Sequence, residues 1–215
     1  LRHPTVGSKQ FLITIGDRTV GGLIARDQMV GKYQVPTSNY SMVNNSFTEY
    51  HGEAISMGEK PSIAISNPSA SMRMALAESI FNLMSAPIKS LDRVVLSANW
   101  MAACGSNKDD LALRAGVEAL SKICCELDIS IPVGKDSLSM RSKWVEEGQN
   151  FEVKSPLTGV ISAMARVVDT RLAITTELES CSNDLYHIKL TDKQRMGGSI
   201  LAIIEDQLSL ETPDV

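Results

Sequence analysis

Apolar side chains recur at intervals of three and four residues in two segments, residues 67–87 and 109–129. This spacing is typical of amphipathic helices that pack one face on a core. In the first segment Asn67 or Ser69 can cap the helix, and Pro68 suits its first turn. The sequence therefore predicts two main helices. Their apolar faces are Met72, Leu76, Ile80 and Leu83 in the first, and Leu113, Val117, Leu120 and Cys124 in the second.

Short apolar or alternating runs between Gly, Pro and polar clusters predict strands. The predicted strands and extended segments are residues 10–17, 18–31, 35–46, 93–100, 129–144 with an internal loop, and 154–169. Residues 51–66 mix a turn with a short strand or helix. Because strands and helices come in mixed order, the sequence predicts an α+β fold, with a mixed or antiparallel sheet and both main helices on one face.

A polar stretch, CSND at residues 181–184, follows the last of these elements. The later apolar run SILAIIED, at 199–206, predicts a strand that opens a new unit. We therefore expect residues 181–184 to be a linker and a new unit to start after them. With no initial Met and with this early stop, the sequence is expected to be a piece of a longer enzyme.

Composition narrows the class of protein. The chain has 215 residues, a formal charge of −4 and 43% hydrophobic residues, which is ordinary for a globular protein. Lys and Arg are scattered and outnumbered by Asp and Glu, so we expect no nucleic-acid partner. Since no apolar run approaches the roughly 20 residues of a membrane span, we expect no membrane association. The four cysteines, Cys104, Cys124, Cys125 and Cys181, include no CxxC pair, which favours a reducing, cytoplasmic setting.

Glu78 and Asn82 lie four residues apart in the first predicted helix. That spacing puts both side chains on one face, about one turn apart. A carboxylate and an amide oxygen are ligands suited to Mg²⁺. The spacing alone equally describes a solvated pair on a helix surface, which is the commoner case.

Arg26, Asp27 and Gln28 interrupt an apolar run with three polar residues. They either face solvent at a sheet edge or line a site, and the sequence leaves these alternatives equal. His51 and Cys104 have no recognisable catalytic partner near them in the sequence. The sequence identifies no catalytic acid, base or nucleophile.

The stretch IPVGKDSLSM, at residues 131–140, combines a flexible glycine with charged and hydroxyl groups. Such a loop could grip a phosphorylated ligand, because glycine admits close approach and lysine offers a point charge. It is not a Walker motif. On composition alone a polar turn, in which Asp and Ser bond their own backbone, is the preferred interpretation. The candidate ligand-binding residues are Gly134, Lys135, Asp136, Ser137 and Ser139.

Five motifs occur in order along nearly the whole chain: ITIGDRTVGG, ARDQMVGKYQVP, GEAISMGE, LSANWMAACG and IPVGKDSLSM. Together they resemble the second half of the synthetase region of phosphoribosylformylglycinamidine synthase of the large, single-chain bacterial type. The resemblance implies a domain over residues 1–175 like the N-terminal domain of aminoimidazole ribonucleotide synthetase, whose sheet pairs with a twin sheet in a barrel. It implies that residues 176–215 are a linker and the truncated start of the following domain. It also implies an ATP-dependent ligase of purine biosynthesis.

That ligase converts formylglycinamide ribonucleotide and ammonia to formylglycinamidine ribonucleotide. A separate glutaminase domain, absent from this sequence, makes the ammonia from glutamine. ATP activates the amide oxygen of the substrate as an imidate phosphate, and ammonia displaces the phosphate. The resemblance therefore implies ATP and Mg²⁺ as cofactors and the remainder of the parent chain as a partner.

The resemblance also assigns residues. Glu78 and Asn82 match two magnesium ligands, and Asn39 stands where the family has a third, an aspartate. Ser38 matches a nucleotide contact. The ordered motif series reverses the preference for a turn at 131–140, so Gly134 to Ser139 is expected to be a substrate-side loop. The amide at Asn39 removes one negative charge from the metal shell, which predicts weaker or altered Mg²⁺ binding.

Two further alternatives stay open. This half could be a structural module that carries an auxiliary MgADP and supports the catalytic half. It could also form a homodimer, because the missing twin would leave a sheet edge and an apolar face exposed. In either case the isolated chain is expected to be inactive.

Overall fold

The computed structural model of the protein describes residues 1–16, 18–19, 21–178, 180, 182–208 and 211–215. Cys181 lies outside the described residues, as does Asp17 of the first predicted strand. The helices within these ranges are α1 (Gln10–Thr14), α2 (Pro61–Ala64), α3 (Pro68–Leu83), α4 (Asn107–Leu127) and α5 (Ile200–Ile204). The strands are β1 (Ile24–Arg26), β2 (Tyr40–Asn44), β3 (Gly52–Gly58), β4 (Val95–Met101), β5 (Ser130–Ser137), β6 (Arg141–Glu146), β7 (Gln149–Lys154) and β8 (Thr158–Val167).

Six of these strands form one sheet in the order β1-β2-β3-β8-β4-β5. Neighbouring strands run antiparallel except β4 and β5, which are parallel and joined by α4. A parallel pair needs such a crossover, whereas antiparallel neighbours can follow directly. Strands β6 and β7 form a separate hairpin, in which Trp144 stacks on Phe151 at a centroid distance of 5.4 Å. The sequence predicted extended chain only as far as residue 144, so the hairpin itself was not predicted.

Helices α3 and α4 pack together on one face of the sheet and build the core. Alternate residues of the central strands point into this layer, as the two-residue period of a strand requires. The α+β class, the sheet type and the two helices on one face are thus confirmed. Residues with no exposed surface in this core include Met42, Met72, Leu76, Leu83, Ile161 and Ala163.

Neither α3 nor α4 covers the opposite face of the sheet, although Ile13 of the short helix α1 lines a cavity there together with Ile55 and Met57. We call this face the open face and define it by the apolar side chains of Ile55, Met57, Val95, Val133 and Met164. The first four are 40–60% exposed. At one end of this face a cavity of about 750 Å³ is lined by Ile55, Val95 and Met164 together with charged residues.

Two strand predictions were wrong. The run from residue 10 forms the short helix α1, none of whose side chains is buried. Strand propensity mostly reflects packing on a sheet, so an apolar run that buries none of its side chains need not form a strand. The run at 199–206 contains helix α5, whose Ser199 hydroxyl caps it by accepting from the Ala202 amide at 3.1 Å.

The described residues between Leu172 and Ser199 contain no helix or strand. Beyond them, the C-terminal end returns to α3, where Asp214 accepts two hydrogen bonds from the Arg73 guanidinium at 2.7 and 2.6 Å. A domain boundary near residue 175 stays a prediction. In the part of the chain that the structure describes, no helix is both long and apolar enough to cross a bilayer.

Candidate functional site

Helix α3 positions Glu78 and Asn82. It begins at Pro68, and the side-chain oxygen of Asn67 accepts a hydrogen bond from the Ala70 amide at 3.0 Å, as the sequence predicted. A proline at the first helical position and an asparagine cap fix where the helix starts. The four-residue spacing then places both side chains on the same side, toward the end of β3.

Gly58, at the end of β3, allows α3 to approach the sheet closely. A Cβ added there would lie 2.2 Å from the Ala75 carbonyl oxygen and 2.6 Å from the Ser79 nitrogen. It would also lie 2.9 Å from the Cβ of Glu78. Because the nearest atoms are backbone, only glycine fits without a shift of the helix. Gly58 therefore sets the position of Glu78 relative to the sheet.

The Glu78 carboxylate is already engaged. It forms an ion pair with the Lys60 ammonium and accepts a hydrogen bond from the Glu59 amide at 2.8 Å. Both ion-pair side chains are 32% exposed, so solvent and ligands can reach them. Asn82 donates from Nδ2 to the Met57 carbonyl oxygen at 2.9 Å, which leaves its Oδ1 directed away from that bond.

A cavity of about 470 Å³ lies beside β1, β2 and the end of β3, and we call it the edge cavity. Its polar lining includes Arg18, Arg26, Gln28, Ser38 and Asn39. The Ser38 hydroxyl donates to the Tyr40 carbonyl oxygen at 2.8 Å. Two residues that the sequence assigned to a nucleotide and a metal therefore share one cavity with two arginines.

Met57 lines the edge cavity and also contacts Asn82. Tyr40 pairs with Ser56 in the sheet, so the preceding Asn39 lies beside Met57, and both line the cavity. Met57 is the residue whose carbonyl accepts from Asn82. The fold thus brings Asn39 and Asn82 to the same end of the sheet, with Glu78 one helical turn from Asn82.

Asp27 has a structural role. Its carboxylate accepts from two nitrogens of Arg18, at 2.8 and 3.3 Å, and from the Met29 amide at 3.2 Å. The hydrogen bond from Arg18 holds the pKa of Asp27 below its ordinary value. A third nitrogen of Arg18 donates to the Gln34 side chain at 3.3 Å. Of the polar triplet at 26–28, the middle residue is paired while Arg26 and Gln28 line the cavity.

Arg26 is the least satisfied group in the edge cavity. Its Nε is buried and has no hydrogen-bond partner. Tyr40 lies close by. Burial raises the pKa of its phenol, and the neighbouring Arg26 guanidinium acts in the opposite direction. The Tyr40 hydroxyl itself donates to the Ile174 carbonyl oxygen at 2.9 Å. A buried guanidinium nitrogen without a partner calls for an explanation.

The metal ligands predicted from the family resemblance carry little negative charge. They offer one carboxylate, that of Glu78, and amide oxygens from Asn39 and Asn82, while Lys60 already neutralises the carboxylate. No group of three His, Cys, Asp or Glu residues suited to a metal occurs among the described residues. Mg²⁺ commonly binds through one or two carboxylates together with phosphate oxygens. Glu78 and Asn82 therefore fit a Mg²⁺ that arrives with a phosphorylated ligand, and Asn39 lies at the same end of the sheet.

The predicted loop at Gly134–Ser139 is a strand for most of its length. Strand β5 (Ser130–Ser137) runs parallel to β4, with Lys135 opposite Asn99 and Asp136 opposite Trp100. Backbone pairing to β4 overrides the turn chemistry of its Gly, Asp and Ser residues. Successive residues of a strand point to opposite faces, so Lys135 and Asp136 cannot grip one ligand atom together.

The five candidate residues of this stretch separate into groups. The Lys135 ammonium donates to the Ser137 hydroxyl at 2.6 Å, on the same face as the open-face residues. A Cβ at Gly134 would lie 2.5 Å from the Ala98 carbonyl oxygen, so its glycine serves strand packing. Ser139 forms an isolated bridge with the chain just after β4. Lys135 and Ser137 remain together as a candidate anion contact.

Asn99 was not singled out by the sequence analysis. Its Oδ1 is buried without a hydrogen-bond partner, and it lies on the sheet directly opposite Lys135. An asparagine within the apolar run RVVLSANW was the signal that could have found it, because a polar residue inside a buried strand needs a partner.

The remaining candidates from the sequence supply no catalytic group. His51 lines the cavity on the open face, with Glu53 and Arg166 beside it. Burial raises the pKa of the Cys104 thiol, and its contact with Asp110 acts in the same direction. A protonated thiol is a weak nucleophile.

A mixed six-stranded sheet with one layer of two helices places the chain in the class of PurM N-terminal-like domains. The family model for the FGAR-AT PurM_N-like domain matches residues 8–166. The chain belongs to that family, and the resemblance stated from its motifs is confirmed at this level.

Solved structures give the same fold. The chain superposes on PurLQS from Thermotoga maritima with a TM-score of 0.56 and 15% identity, over 78% of this chain and 25% of that chain. Weaker superpositions are with T. maritima PurL complexed with ADP, at 0.48 and 15% over 65% and 22%, and PurL complexed with FGAR, at 0.48 and 15% over 65% and 21%. At such identity the likeness to PurLQS shows the fold alone. The chain spans about a quarter or less of the length of these proteins.

Proposed function

We propose that this chain is the nucleotide-side domain of an amidine-forming ligase of purine biosynthesis. The whole enzyme would convert formylglycinamide ribonucleotide, ATP and glutamine-derived ammonia to formylglycinamidine ribonucleotide. Family membership supports the reaction class. The observation that carries the site is that Ser38 and Asn39 line the edge cavity beside Met57, whose carbonyl oxygen accepts a hydrogen bond from Asn82, one helical turn from Glu78.

In this proposal Ser38 contacts the nucleotide, and Asn39, Glu78 and Asn82 hold a Mg²⁺ that arrives with its phosphates. Phosphoryl transfer depends on positioning the reactants and on neutralising the phosphate charge. The metal would neutralise that charge. The chain's own contribution is geometric. Gly58 holds Glu78 at the end of the sheet, and the Met57 carbonyl orients the Asn82 amide. Lys60 balances the charge of Glu78, the carboxylate that would bind the Mg²⁺.

The substrate side of the proposal rests on β5. Lys135 and Ser137 together offer an ammonium and a hydroxyl on the side of the sheet opposite α3 and α4. Gly134 and Asp136 support the strand rather than the same contact, and Ser139 lies beyond its end. Since β5 is an edge strand with mostly exposed residues, the remaining groups of a ribonucleotide site would come from another part of the parent enzyme.

We further propose that a twin sheet covers the open face, as the family resemblance implies. The exposed apolar side chains of that face support this, because a contiguous apolar patch commonly marks an interface. The remainder of the parent chain, including its glutaminase domain, would be the partner. The domain proper would end near residue 175, with the described residues after it linking to a second domain.

A structural role is the second candidate. One specific observation favours it: the metal set has an amide at Asn39 and a carboxylate already neutralised by Lys60. Such a site would hold MgADP as a fixed support and would not turn it over. Both the catalytic role and the structural role require the chain to bind a nucleotide. They differ in whether the parent enzyme turns over the nucleotide bound at this site.

Calorimetric titration of the chain with MgADP tests the shared claim. Glu78→Gln should weaken MgADP binding to the affinity measured for ADP without Mg²⁺, because it removes the one carboxylate of the metal set. Glu118→Gln, on the exposed side of α4, is the matched control and should bind like the unmodified chain. Equal MgADP affinity in Glu78→Gln and the unmodified chain would refute the metal site.

A further inference from the structure

The edge cavity carries a charge arrangement that the metal site does not explain. Two guanidinium groups, of Arg18 and Arg26, line it, and none of its described lining residues is a carboxylate. The other polar groups at its wall are hydroxyls and amides, including those of Thr37, Ser38 and Gln28. Such a lining attracts anions directly.

The two arginines are not equivalent. All three guanidinium nitrogens of Arg18 donate hydrogen bonds to Asp27 or Gln34. Asp27 balances the charge of Arg18, and these contacts fix its geometry. Arg26 interacts with the Tyr40 hydroxyl and forms no ion pair with a described carboxylate, and its Nε is buried without a hydrogen-bond partner. An unsatisfied buried donor on a charged group costs stability, so this nitrogen is a candidate to bind a ligand.

We propose that Arg26 is the phosphate-binding residue of the edge cavity, and that it contacts a terminal phosphate of a small-molecule ligand without a metal between them. Phosphate suits the site because guanidinium binds it through two parallel hydrogen bonds while hydroxyls and amides take its other oxygens. A cavity of about 470 Å³ also has room for more than the phosphate group.

This inference deepens the proposed function, because Ser38 and Asn39 line the same cavity, but it does not need the metal. A phosphate group could come from a nucleoside diphosphate or from a sugar phosphate. The shared chemistry is a terminal phosphate that Arg26 contacts. Arg18, held by Asp27, would form the fixed wall against which that phosphate rests.

The test is titration of the full chain with inorganic pyrophosphate in the presence of EDTA. The unmodified chain should bind pyrophosphate, and Arg26→Gln should weaken binding roughly ten- to hundred-fold, the range for a charge-assisted hydrogen bond. Arg26→Lys should keep part of the affinity, since lysine keeps the positive charge but cannot form the two parallel hydrogen bonds of a guanidinium. Arg114→Gln, which removes an exposed ion-paired arginine on α4, is the matched control and should change nothing.

Two competitors identify the source of the phosphate. Displacement of pyrophosphate by ADP supports a nucleotide, and displacement by ribose 5-phosphate supports a sugar phosphate. If Arg26→Gln does not fold, protection of Arg26 from phenylglyoxal by pyrophosphate, but not by NaCl at equal ionic strength, gives the same answer by mass spectrometry. Absent protection would count against the proposal.

Two outcomes would overturn it: no binding of pyrophosphate to the unmodified chain at millimolar concentration, or equal affinity in Arg26→Gln. The result is separable from the metal site. If Glu78→Gln leaves MgADP binding unchanged while Arg26→Gln abolishes pyrophosphate binding, the metal proposal fails and the phosphate site stands. The reverse pattern leaves the metal site and removes the role of Arg26.

Discussion

Single residues shape the proposed metal site both by leaving no room for a side chain and by offering ligand atoms. Gly58 is the clearest case, because no side chain fits between β3 and the backbone of α3 at that point. Glu78 lies against the same glycine and depends on it for its position. Packing at one residue and chemistry at another are therefore coupled.

Replacing Gly58 with alanine should destabilise the protein by about 1–3 kcal/mol, the usual cost of overpacking a tight interior contact. The added methyl meets backbone atoms of Ala75 and Ser79, so α3 must shift. Urea unfolding measures the free-energy change. Gly16→Ala is the matched control, since a Cβ there has open space, and it should stay within about 0.5 kcal/mol. Equal stability of the two variants would contradict the close approach.

At the scale of elements, the two long helices were predictable from their apolar spacing, and in α3 the cap and the proline agree with that spacing. Sequence alone could not place IPVGKDSLSM, since Gly, Lys, Asp and Ser suit a loop equally well and only pairing with β4 makes them a strand. Likewise, the unpartnered Nε of Arg26 and the unpartnered Oδ1 of Asn99 are properties of burial in the folded chain. The sequence did place Arg26 among its candidates, because a charged residue interrupts an apolar run.

Attachment of the C-terminal end to α3 should depend on pH through Asp214. Its hydrogen bonds from Arg73 hold its pKa below the ordinary value of 3.8. A lowered folded-state pKa contributes stability above the unfolded value, and that contribution is lost as pH falls from about 4 through the lowered pKa. The pair is partly exposed, so we expect about 0.5–1 kcal/mol.

Unfolding measured against pH checks this. Asp214→Asn should be less stable than the unmodified chain at pH 6, and the difference should disappear at the acid end. Asp192→Asn, at a highly exposed position, is the control and should show no comparable difference. A difference that persists unchanged below pH 3 would assign the effect to something other than this ion pair.

For the whole molecule, the open face is the dominant feature. One side of the sheet carries the helices and the core, while the other presents apolar side chains and a large cavity. The edge cavity and the exposed strand β5 lie at opposite edges of the same sheet. A twin sheet over the open face would therefore add groups near both.

In the absence of that twin, the chain should associate with itself through the open face. Ile55→Glu should weaken association, because it places a charge at the centre of the apolar face. Leu111→Glu adds the same charge to an exposed position on α4 and should have no effect. Sedimentation equilibrium over a range of concentrations measures both. An unmodified chain that stays monomeric at high concentration would exclude this surface as a self-association site.

The central claim is that the chain binds a magnesium nucleotide through the edge cavity together with Glu78 and Asn82. Thermal unfolding of the unmodified chain tests it most directly, because a ligand of the native state raises stability by about 2.7 kcal/mol at a hundred times its Kd. MgADP should raise the Tm, while Mg²⁺ alone should not, since the protein offers the metal a single, already paired carboxylate. No change in Tm with millimolar MgADP would contradict the account.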